Sequence, residues 1–402
     1  MNKNIGMLCC MLLCYWLINI YNLFSNSMGN IEKIFDSNDA RSLSHRRLPK
    51  LIYDFIEGAT GREIASKGNV TAFDEVKLLP RALVDVSERS LTTSFMGNYY
   101  SQPFGIAPMG MCNLSYPNAD ILMAKAAKKN NFPHGIATAT STGLAEVLVA
   151  GGDNSWFQLY VFIGAEKGLE LALKAQSIGY KTLILTVDVP QAARRMRELR
   201  NGFQVPFNMG LSQFIDLASH PFWSLRTLAT GIPKPVLFQN EDEKFDRTAN
   251  RMGANWDFLN QLRSIWKGKI IVKGILSVED AKKIKKVGID GVWVSNHGGR
   301  QLDGAPAPIK VLPLIRAALG NDYPIAFDSG MRDGSDIVKA LASGADFTFL
   351  GRPILHALAC AGNAGLDRIL SIFSEDINIV MAQIGVKGID EIDKSVLARS
   401  QE

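Results

Sequence analysis

The chain has 402 residues, of which 47% are apolar and 21% are charged, a balance that is typical of a globular protein with a large core. Its formal net charge is +5, and its Lys and Arg residues are scattered rather than gathered in runs, which argues against a nucleic-acid-binding protein. The five cysteines show neither metal-ligand spacing nor a disulfide framework, which is typical of a protein kept reduced in the cytosol.

Residues 5–24 form an almost continuous apolar run that has about the length of a membrane-spanning helix. Three interpretations stay open: an N-terminal membrane anchor, a cleaved signal peptide, or an artefact upstream of a true start at Met28. Two asparagines in the run weaken the first interpretation, and the lack of a small-residue cleavage site weakens the second. We therefore set residues 1–27 apart from a predicted globular domain over residues 28–402.

Short apolar segments alternate with amphipathic ones from Leu48 onwards. A helix is predicted from Leu48-Pro49 to Gly58, since proline is tolerated in a first turn. Eight later runs, rich in β-branched or aromatic residues, predict strands at 103–108, 134–140, 155–161, 182–188, 269–274, 291–297, 324–329 and 346–351. Helical patterns follow several of them, at 118–130, 165–178, 277–287 and 333–343.

Eight buried strands that alternate with helices predict an α/β fold: a (β/α)₈ TIM barrel with an N-terminal helical extension and a long insertion after the fourth strand. A doubly wound open sheet is the alternative, but no GxGxxG pattern follows any strand. The insertion covers residues 203–256; its first part, 203–238, is rich in Phe and Trp, and residues 240–251 are charged. It is interpreted as a lid or as a membrane-contacting patch.

Polar residues gather at the carboxyl ends of six predicted strands, which is the face where barrel enzymes build their active sites. They include Gln158, Tyr160, Thr186, Asp188, Lys273, Ser295, His297, Asp328 and Arg352. One such residue alone would be interpreted as a strand cap or a turn. The same feature at six strands predicts a functional site.

The segment 295–303, SNHGGRQLD, is the most informative part of the sequence. His297 can accept a proton near neutral pH, and Arg300 can hold a carboxylate with its forked guanidinium group. Asp188 is a candidate to orient His297, and Arg194-Arg195 is a second cationic element. The glycine-rich turns at 328–334 and 351–353 contain arginines and predict a phosphate pocket.

SNHGGRQLD, with YDFIEGA, FQLYV, LTVD, VKGI and GRP in this order, resembles the FMN-dependent 2-hydroxy-acid dehydrogenase and oxidase family. Glycolate oxidase, membrane-type L-lactate dehydrogenase and mandelate dehydrogenase are members. The resemblance covers roughly residues 45–395. It implies FMN as the cofactor, oxidation of a small, lactate-like L-2-hydroxy acid to the 2-keto acid, and a homo-oligomer, a tetramer in such enzymes.

The resemblance also implies roles for individual residues. His297 would accept the proton, either from the α-carbon or from the hydroxyl group, and Asp188 would support it. Arg195 and Arg300 would bind the substrate carboxylate, and Tyr160 would touch the substrate. The implied FMN contacts fall into three sets. The backbone of Pro108, Met109 and Gly110 and the polar side chains of Gln158, Thr186, Lys273 and Ser295 would contact the flavin ring. The ribityl and phosphate groups would be bound by Asp328, Ser329, Gly330, Met331, Arg332, Gly351 and Arg352.

Two departures from the family pattern affect the expected site. Phe55 stands where the family usually has a tyrosine whose hydroxyl helps to hold the substrate carboxylate. We therefore expect an altered affinity for the substrate or an altered substrate specificity. Ala137 replaces a serine, which leaves one flavin contact to the backbone. Ala139 leaves room beside the substrate where glycolate oxidases have tryptophan, which favours an acid of more than two carbons.

The electron acceptor is a quinone, a cytochrome or oxygen. Gly110 follows the dehydrogenase pattern, and residues 203–238 resemble the segment of the membrane-type lactate and mandelate enzymes. Both favour a quinone-linked dehydrogenase at the cytoplasmic face of the membrane over a cytoplasmic enzyme. The alternatives are an oxidase that produces hydrogen peroxide, a flavin-binding barrel without turnover, and an isomerase that uses reduced FMN.

Overall fold

A closed barrel of eight parallel strands forms the centre of the computed structural model, which describes residues 31–162, 164–203, 210–238 and 252–398. Its described strands are β1 Thr93–Phe95, β2 Asn98–Tyr100, β3 Phe104–Met109, β4 His134–Ala137, β5 Ser155–Leu159, β6 Thr182–Thr186, β7 Lys269–Ile275, β8 Gly291–Val294, β9 Ile325–Phe327 and β10 Phe347–Leu350. Strands β3 to β10 pair in chain order, and β10 pairs with β3 to close the barrel. The predicted TIM barrel is confirmed.

Each of the eight predicted strands is present, but several end earlier than predicted. β4 ends at Ala137 because the chain turns there, and the amide of Thr140 donates to the Ala137 carbonyl. β8 ends at Val294, and the side chain of Asn296 then accepts a hydrogen bond from the amide of Gly299. The polar residues of these segments therefore lie in loops at the carboxyl face rather than in the strands.

Aromatic side chains fill the barrel interior toward its amino-terminal end. The rings of Trp293 and Phe349 stack with their centroids 3.9 Å apart. The antiparallel hairpin of β1 and β2, which the sequence did not predict, places Phe95 against Phe347 at a centroid distance of 5.3 Å. This packing closes one end of the barrel and leaves the carboxyl face for the site.

Helices surround the barrel and extend it at the N-terminus. They are α1 Ser37–Arg47, α2 Lys50–Glu57, α3 Ile64–Glu75, α4 Ala119–Lys129, α5 Leu144–Gly151, α6 Ala165–Ile178, α7 Met196–Asn201, α8 Leu211–Ser219, α9 Pro221–Thr230, α10 Trp256–Ile265, α11 Val278–Lys286, α12 Pro308–Leu319, α13 Gly334–Ala342 and α14 Arg352–Ile384. The four helices predicted after strands correspond to α4, α6, α11 and α13, and the predicted N-terminal helical extension corresponds to α1 to α3.

The insertion after β6 docks on the carboxyl face through its described helices. Asp216 of α8 accepts hydrogen bonds from the backbone amides of Lys50 and Leu51, each at 3.0 Å, at the start of α2. The indole of Trp223 in α9 donates to the Leu114 carbonyl at 2.7 Å. Parts of the predicted insertion, 204–209 and 239–251, lie outside the described residues.

The predicted N-terminal membrane segment, residues 1–27, also lies outside the described residues. In the part of the chain that the structure does describe, no helix combines the length and the apolar character needed to cross a bilayer.

Candidate active site

A cleft opens at the carboxyl face of the barrel, between the strand ends and helix α2. Most of the predicted site residues line it: Phe55, Pro108, Met109, Gly110, Tyr160, Arg195, Lys273, His297, Arg300, Asp328, Ser329, Gly330, Met331, Arg332, Gly351 and Arg352. Ala137, Gln158, Thr186 and Ser295 are buried at the strand ends, and Asp188 contacts His297 of the cleft. The fold therefore brings together residues from seven strand ends and from α2.

His297 lies between Asp188 and Tyr160. Its Nδ1 atom is 3.1 Å from Oδ1 of Asp188, and its Nε2 atom is 3.2 Å from the Tyr160 hydroxyl. The backbone of His297 is in the left-handed region, with φ 60°, so the turn after β8 aims the ring back into the cleft. Gly274 makes room for Asp188, because a Cβ atom on Gly274 would lie 2.6 Å from the Asp188 side chain.

The electrostatics of this pair favour a neutral histidine beside an ionised aspartate. Burial lowers the pKa of His297, and Lys273 and Arg195 act in the same direction, while the Asp188 carboxylate opposes them. Burial raises the pKa of Asp188, but the charge and hydrogen bond of His297, with Lys273, outweigh burial and leave that pKa lowered. A neutral imidazole held by a carboxylate is suited to accept a proton at Nε2.

Lys273 supplies a buried positive charge at the base of the cleft. Its Nζ atom lies 2.9 Å from the Asp328 carboxylate and 2.8 Å from the Ser295 hydroxyl, which in turn donates to Asp328 at 2.5 Å. Burial lowers the pKa of Lys273, but Asp328 and Asp188 outweigh burial and leave that pKa raised. The lysine therefore stays protonated with a fixed orientation.

Buried polar residues at the ends of neighbouring strands are linked by hydrogen bonds beside the cleft. The Gln158 amide donates to the Thr186 hydroxyl at 3.0 Å, and the Thr138 hydroxyl donates to the Gln158 carbonyl at 2.6 Å. Ala137 is also buried there and contributes no polar side-chain atom. Such hydrogen bonds fix the walls of the cleft, since buried polar groups in hydrogen bonds resist rearrangement.

Two arginines meet at one wall of the cleft around a buried carboxylate. Glu198 Oε1 lies 3.3 Å from Nη1 of Arg195 and 3.5 Å from Nη2 of Arg300. The Nη1 atom of Arg300 also donates to the Gly58 carbonyl at 2.6 Å. Both guanidinium groups line the cleft, so they can receive a ligand carboxylate there. Glu198 was not among the residues predicted from the sequence, although it follows Arg195 by three residues and so lies one helical turn from it.

Phe55 contributes an apolar ring to the same wall. Its ring stacks on Phe203 at a centroid distance of 4.6 Å with an interplanar angle of 15°. The guanidinium carbon of Arg300 lies 5.7 Å from the centroid of the Phe55 ring. The Arg300 guanidinium therefore lies over the face of the Phe55 ring, whereas a tyrosine would add a hydroxyl group at the ring edge.

Two further arginines line the cleft, Arg332 in the turn after β9 and Arg352 at the start of α14, where Arg352 shares the Ile56 and Gly58 carbonyls with Arg300. Arg352 donates to the Gly298 carbonyl at 3.0 Å, and Arg332 donates to the Met331 carbonyl at 2.9 Å. Burial lowers the pKa of Arg352 to about 10 and lowers that of Arg332, so both remain cationic at neutral pH. Within the described residues, neither makes a salt bridge to a carboxylate. Two such cations are suited to bind a phosphate group.

Several cleft residues were not predicted from the sequence: Ile56, Met111, Gln301 and Leu355. Most are apolar and look like ordinary core positions in a sequence, so no local signal distinguishes them. Gln301 is different, because it stands inside the SNHGGRQLD segment. Its Oε1 atom is buried and accepts no hydrogen bond from the described residues.

Comparisons with known proteins agree with this geometry. Residues 44–399 match the family described as FMN-dependent dehydrogenase. The chain is 39% identical to (S)-mandelate dehydrogenase of Pseudomonas putida over 373 residues, 91% of this chain and 94% of the relative. It is 33% identical to L-lactate dehydrogenase of Xanthobacter autotrophicus over 381 residues, 92% of this chain and 97% of the relative.

A solved structure shares the whole architecture. The crystal structure of the monotopic membrane protein (S)-mandelate dehydrogenase superposes with a TM-score of 0.87 at 38% identity, covering 91% of this chain and 99% of that one. The buried cations and the flat apolar wall of the cleft fit the phosphate and the ring of FMN, the cofactor of the matched family. The chain belongs to the FMN-dependent dehydrogenase family and is an oxidoreductase of its 2-hydroxy-acid dehydrogenase and oxidase type.

Proposed function

We propose that this enzyme oxidises a small, lactate-like L-2-hydroxy acid to the 2-keto acid and delivers the electrons to a quinone at a membrane surface. The observation that carries the proposal is the position of His297. Its Nδ1 atom is held by Asp188, its Nε2 atom faces the cleft beside Tyr160, and two arginines form the adjoining wall. A base next to a carboxylate-binding site is the arrangement that oxidation of a 2-hydroxy acid requires.

The residues that would hold FMN line the cleft. Lys273 would face the ring system, Met109 and Gly110 would pack against it, and Arg332 and Arg352 would bind the phosphate. When bound, FMN supplies the two-electron acceptor for the oxidation.

His297 takes up one of the two protons that the substrate loses. The neutral imidazole accepts this proton at Nε2, and the ionised Asp188 stabilises the positive charge that develops on the ring. Tyr160 directs its hydroxyl toward the same nitrogen at 3.2 Å and so positions the reacting end of the substrate.

Arg195 and Arg300, which we name the carboxylate clamp, orient the substrate. A carboxylate placed between two guanidinium groups fixes the α-carbon next to His297. Ala139 has a small side chain at the cleft wall, and it leaves space for a side chain on the substrate. This space supports an aromatic 2-hydroxy acid as a second candidate substrate, in line with the 39% identity to (S)-mandelate dehydrogenase.

The insertion helices support an acceptor in a membrane. Apolar side chains of α8 and α9 are exposed: Leu211, Phe214, Ile215, Phe222, Leu225 and Leu228. An exposed apolar surface of this kind is suited to the interfacial region of a bilayer. The similar crystal structure is that of a monotopic membrane protein, which supports peripheral membrane association for this chain.

The test uses the FMN-loaded enzyme without oxygen. Flavin absorbance is followed during addition of L-lactate, (S)-mandelate, glycolate and their opposite enantiomers where these exist. We expect L-lactate to bleach the flavin fastest, and faster bleaching by (S)-mandelate would favour the second candidate. Bleaching by none of the acids would support a flavin-binding barrel without turnover.

The acceptor is identified by reoxidation of the substrate-reduced enzyme. We expect a quinone analogue to restore the absorbance much faster than dissolved oxygen does. Faster reoxidation by oxygen, with release of hydrogen peroxide, would instead identify an oxidase.

A further inference from the structure

The turn that carries His297 has a strained backbone. His297, Gly298 and Gly299 lie one after another in the left-handed region, with φ 60°, 65° and 75°. Only the glycines adopt this conformation without strain, so the turn persists at His297 because neighbouring groups fix it. One such group is Asn296. Its Oδ1 atom accepts a hydrogen bond from the Gly299 amide at 3.1 Å, and its Nδ2 atom donates to the Pro306 carbonyl at 3.2 Å.

Asn69 of helix α3 fixes the side chain of Asn296. The Nδ2 atom of Asn69 donates to Oδ1 of Asn296 at 2.7 Å, and Nδ2 of Asn296 donates to Oδ1 of Asn69, also at 2.7 Å. Asn69 is 2% exposed and Asn296 is 5% exposed, so the pair is shielded from water. Because each amide group is both donor and acceptor, the two side chains match in one relative orientation. The pair therefore keeps the Asn296 oxygen directed at the Gly299 amide.

Helix α3 also contacts the turn directly and binds the segment after it. A Cβ atom on Gly299 would lie 2.4 Å from the backbone nitrogen of Ser66, so the helix packs against the turn. The Asp303 carboxylate accepts hydrogen bonds from the amides of Arg62 and Ala65, at 2.8 and 3.1 Å, at the start of α3. A helix that precedes the barrel in the chain thus supports the turn after β8.

We propose that Asn69 is a positioning residue for His297, which it reaches through Asn296. The inference rests on the proposed function, because it takes His297 as the base. The Arg300 side chain is held by a different group, since its Nη1 atom donates to the Gly58 carbonyl at 2.6 Å. Loss of the Asn69 side chain should therefore slow proton transfer to His297 and leave the binding of the substrate carboxylate unchanged. A merely structural role for Asn69 would affect stability alone.

The experiment uses the FMN-loaded Asn69→Leu variant, because leucine is similar in size to asparagine and forms no side-chain hydrogen bond. The limiting rate of anaerobic flavin reduction is measured with L-lactate or (S)-mandelate, whichever bleaches the flavin faster. We expect this rate to fall by about tenfold to 10²-fold, since the base is misplaced. The dissociation constants of FMN and of the corresponding keto acid should stay unchanged.

Thr348→Val is the matched control. Thr348 is fully buried in β10, and its hydroxyl donates to the Pro103 carbonyl at 3.1 Å. The control variant also loses a buried hydrogen bond and should have a lower melting temperature, but it should reduce its flavin at the unaltered rate. If Asn69→Leu slows reduction no more than Thr348→Val does, the inference is overturned. If Asn69→Leu does not fold, Asn69→Ser takes its place, because the shorter side chain leaves the amide pair unformed.

A double-mutant cycle tests whether Asn69 acts through Asn296. Asn296→Ser should slow flavin reduction by itself. Adding Asn69→Ser to it should slow reduction no further, because the effects of two residues that act through one shared contact do not add. Additive losses would mean that Asn69 acts by another route, and they would overturn the inference.

The variant His297→Gln separates this inference from the proposed function. Near-normal flavin reduction in His297→Gln would mean that His297 is not the base, and both the proposed mechanism and the inference would fall. Loss of reduction in His297→Gln, together with unaltered reduction in Asn69→Leu, would leave the base in place and overturn only the role of Asn69.

Discussion

Gly274 lies directly against Asp188, so that a Cβ atom on Gly274 would come within 2.6 Å of both Cβ and Cγ of the aspartate. Gly274 has φ 102°, a conformation that only glycine adopts without strain. The end of β7 is therefore shaped to leave room for the carboxylate that holds His297. This relationship leads to a direct test of the catalytic pair.

We expect Gly274→Ala to displace Asp188 and to slow flavin reduction by about 10²-fold while FMN still binds, because a small misplacement at the reacting group has an effect of that size. Gly288→Ala is the matched control, since Gly288 has φ 82° and no neighbour within 4 Å of its added Cβ atom. Both variants carry backbone strain, and only the first moves Asp188. Equal losses of the reduction rate in stopped-flow measurements would refute this account.

His297→Gln should leave FMN bound and should lower the rate of flavin reduction by about 10²–10⁴-fold. The amide keeps some hydrogen bonding to Asp188 but cannot accept a proton, and loss of a general base has an effect of that size. The rate is measured by stopped-flow absorbance under anaerobic conditions. Near-normal reduction in this variant would remove His297 from the role of base.

The rate should fall on acidification, because protonated His297 cannot accept a proton. Burial lowers the pKa of His297. We therefore expect kcat/KM to be constant through neutral pH and to decrease only at pH values below about 6.5, the ordinary pKa of histidine. Asp188 raises the pKa of His297, so Asp188→Asn should move the acid limb to lower pH as well as lower the plateau. A pH profile of kcat/KM checks both. An acid limb that moves to higher pH in Asp188→Asn would contradict the assignment.

Phe55→Tyr should tighten the binding of small hydroxy acids. The added hydroxyl would lie at the edge of a ring that lines the cleft, and one hydrogen bond to the substrate carboxylate is worth about 0.5–1.5 kcal/mol. We expect the Michaelis constant for L-lactate to fall by about twofold to tenfold. Phe55→Leu, which adds no hydroxyl, should not lower it. An unchanged constant in the tyrosine variant would mean that other groups hold the carboxylate.

The exposed apolar surface of α8 and α9 should bind lipid. The double substitution Phe214→Ser and Leu225→Gln should release the enzyme from phosphatidylcholine–phosphatidylglycerol vesicles in sedimentation assays, because it removes two side chains that are 60% and 64% exposed. Activity with a soluble dye should stay unchanged. Val149→Ser, on the outer face of α5, is the control and should not alter sedimentation. Full sedimentation of the double variant would mean that this surface does not bind the vesicles.

The barrel and the segment around His297 could be predicted because both have local signals in the sequence. A run such as 182–188 is short, apolar and followed by polar residues, and parallel strands bring those residues to one face. The hairpin of β1 and β2 gave no such signal, since each of its strands has three residues and shows no alternation. Some strands end earlier than predicted, because the apolar pattern continues for a few residues after the last hydrogen bond to the neighbouring strand. The fourth barrel strand, for example, was predicted to reach residue 140 and ends at Ala137.

The part of the site that could not be predicted depends on contacts between distant segments. Glu198 meets Arg300 across 102 residues of sequence, and no local pattern encodes that meeting. The family resemblance implied Gln158 and Thr186 as cofactor contacts, and in the structure both side chains are buried and share a hydrogen bond. A strand end in sequence does not determine which side chains reach the cleft and which support it.

Helix α2, which carries Phe55, has no capping side chain of its own, because proline stands at its N-cap. Asp216 supplies that cap from the insertion, 166 residues further along the chain, through the amides of Lys50 and Leu51. A cap of this kind contributes about 1 kcal/mol to the stability of a helix. The first turn of α2 is therefore completed only when the insertion is docked. We expect proteolytic cleavage within the insertion to speed amide hydrogen exchange in α2, the helix that forms one wall of the active site.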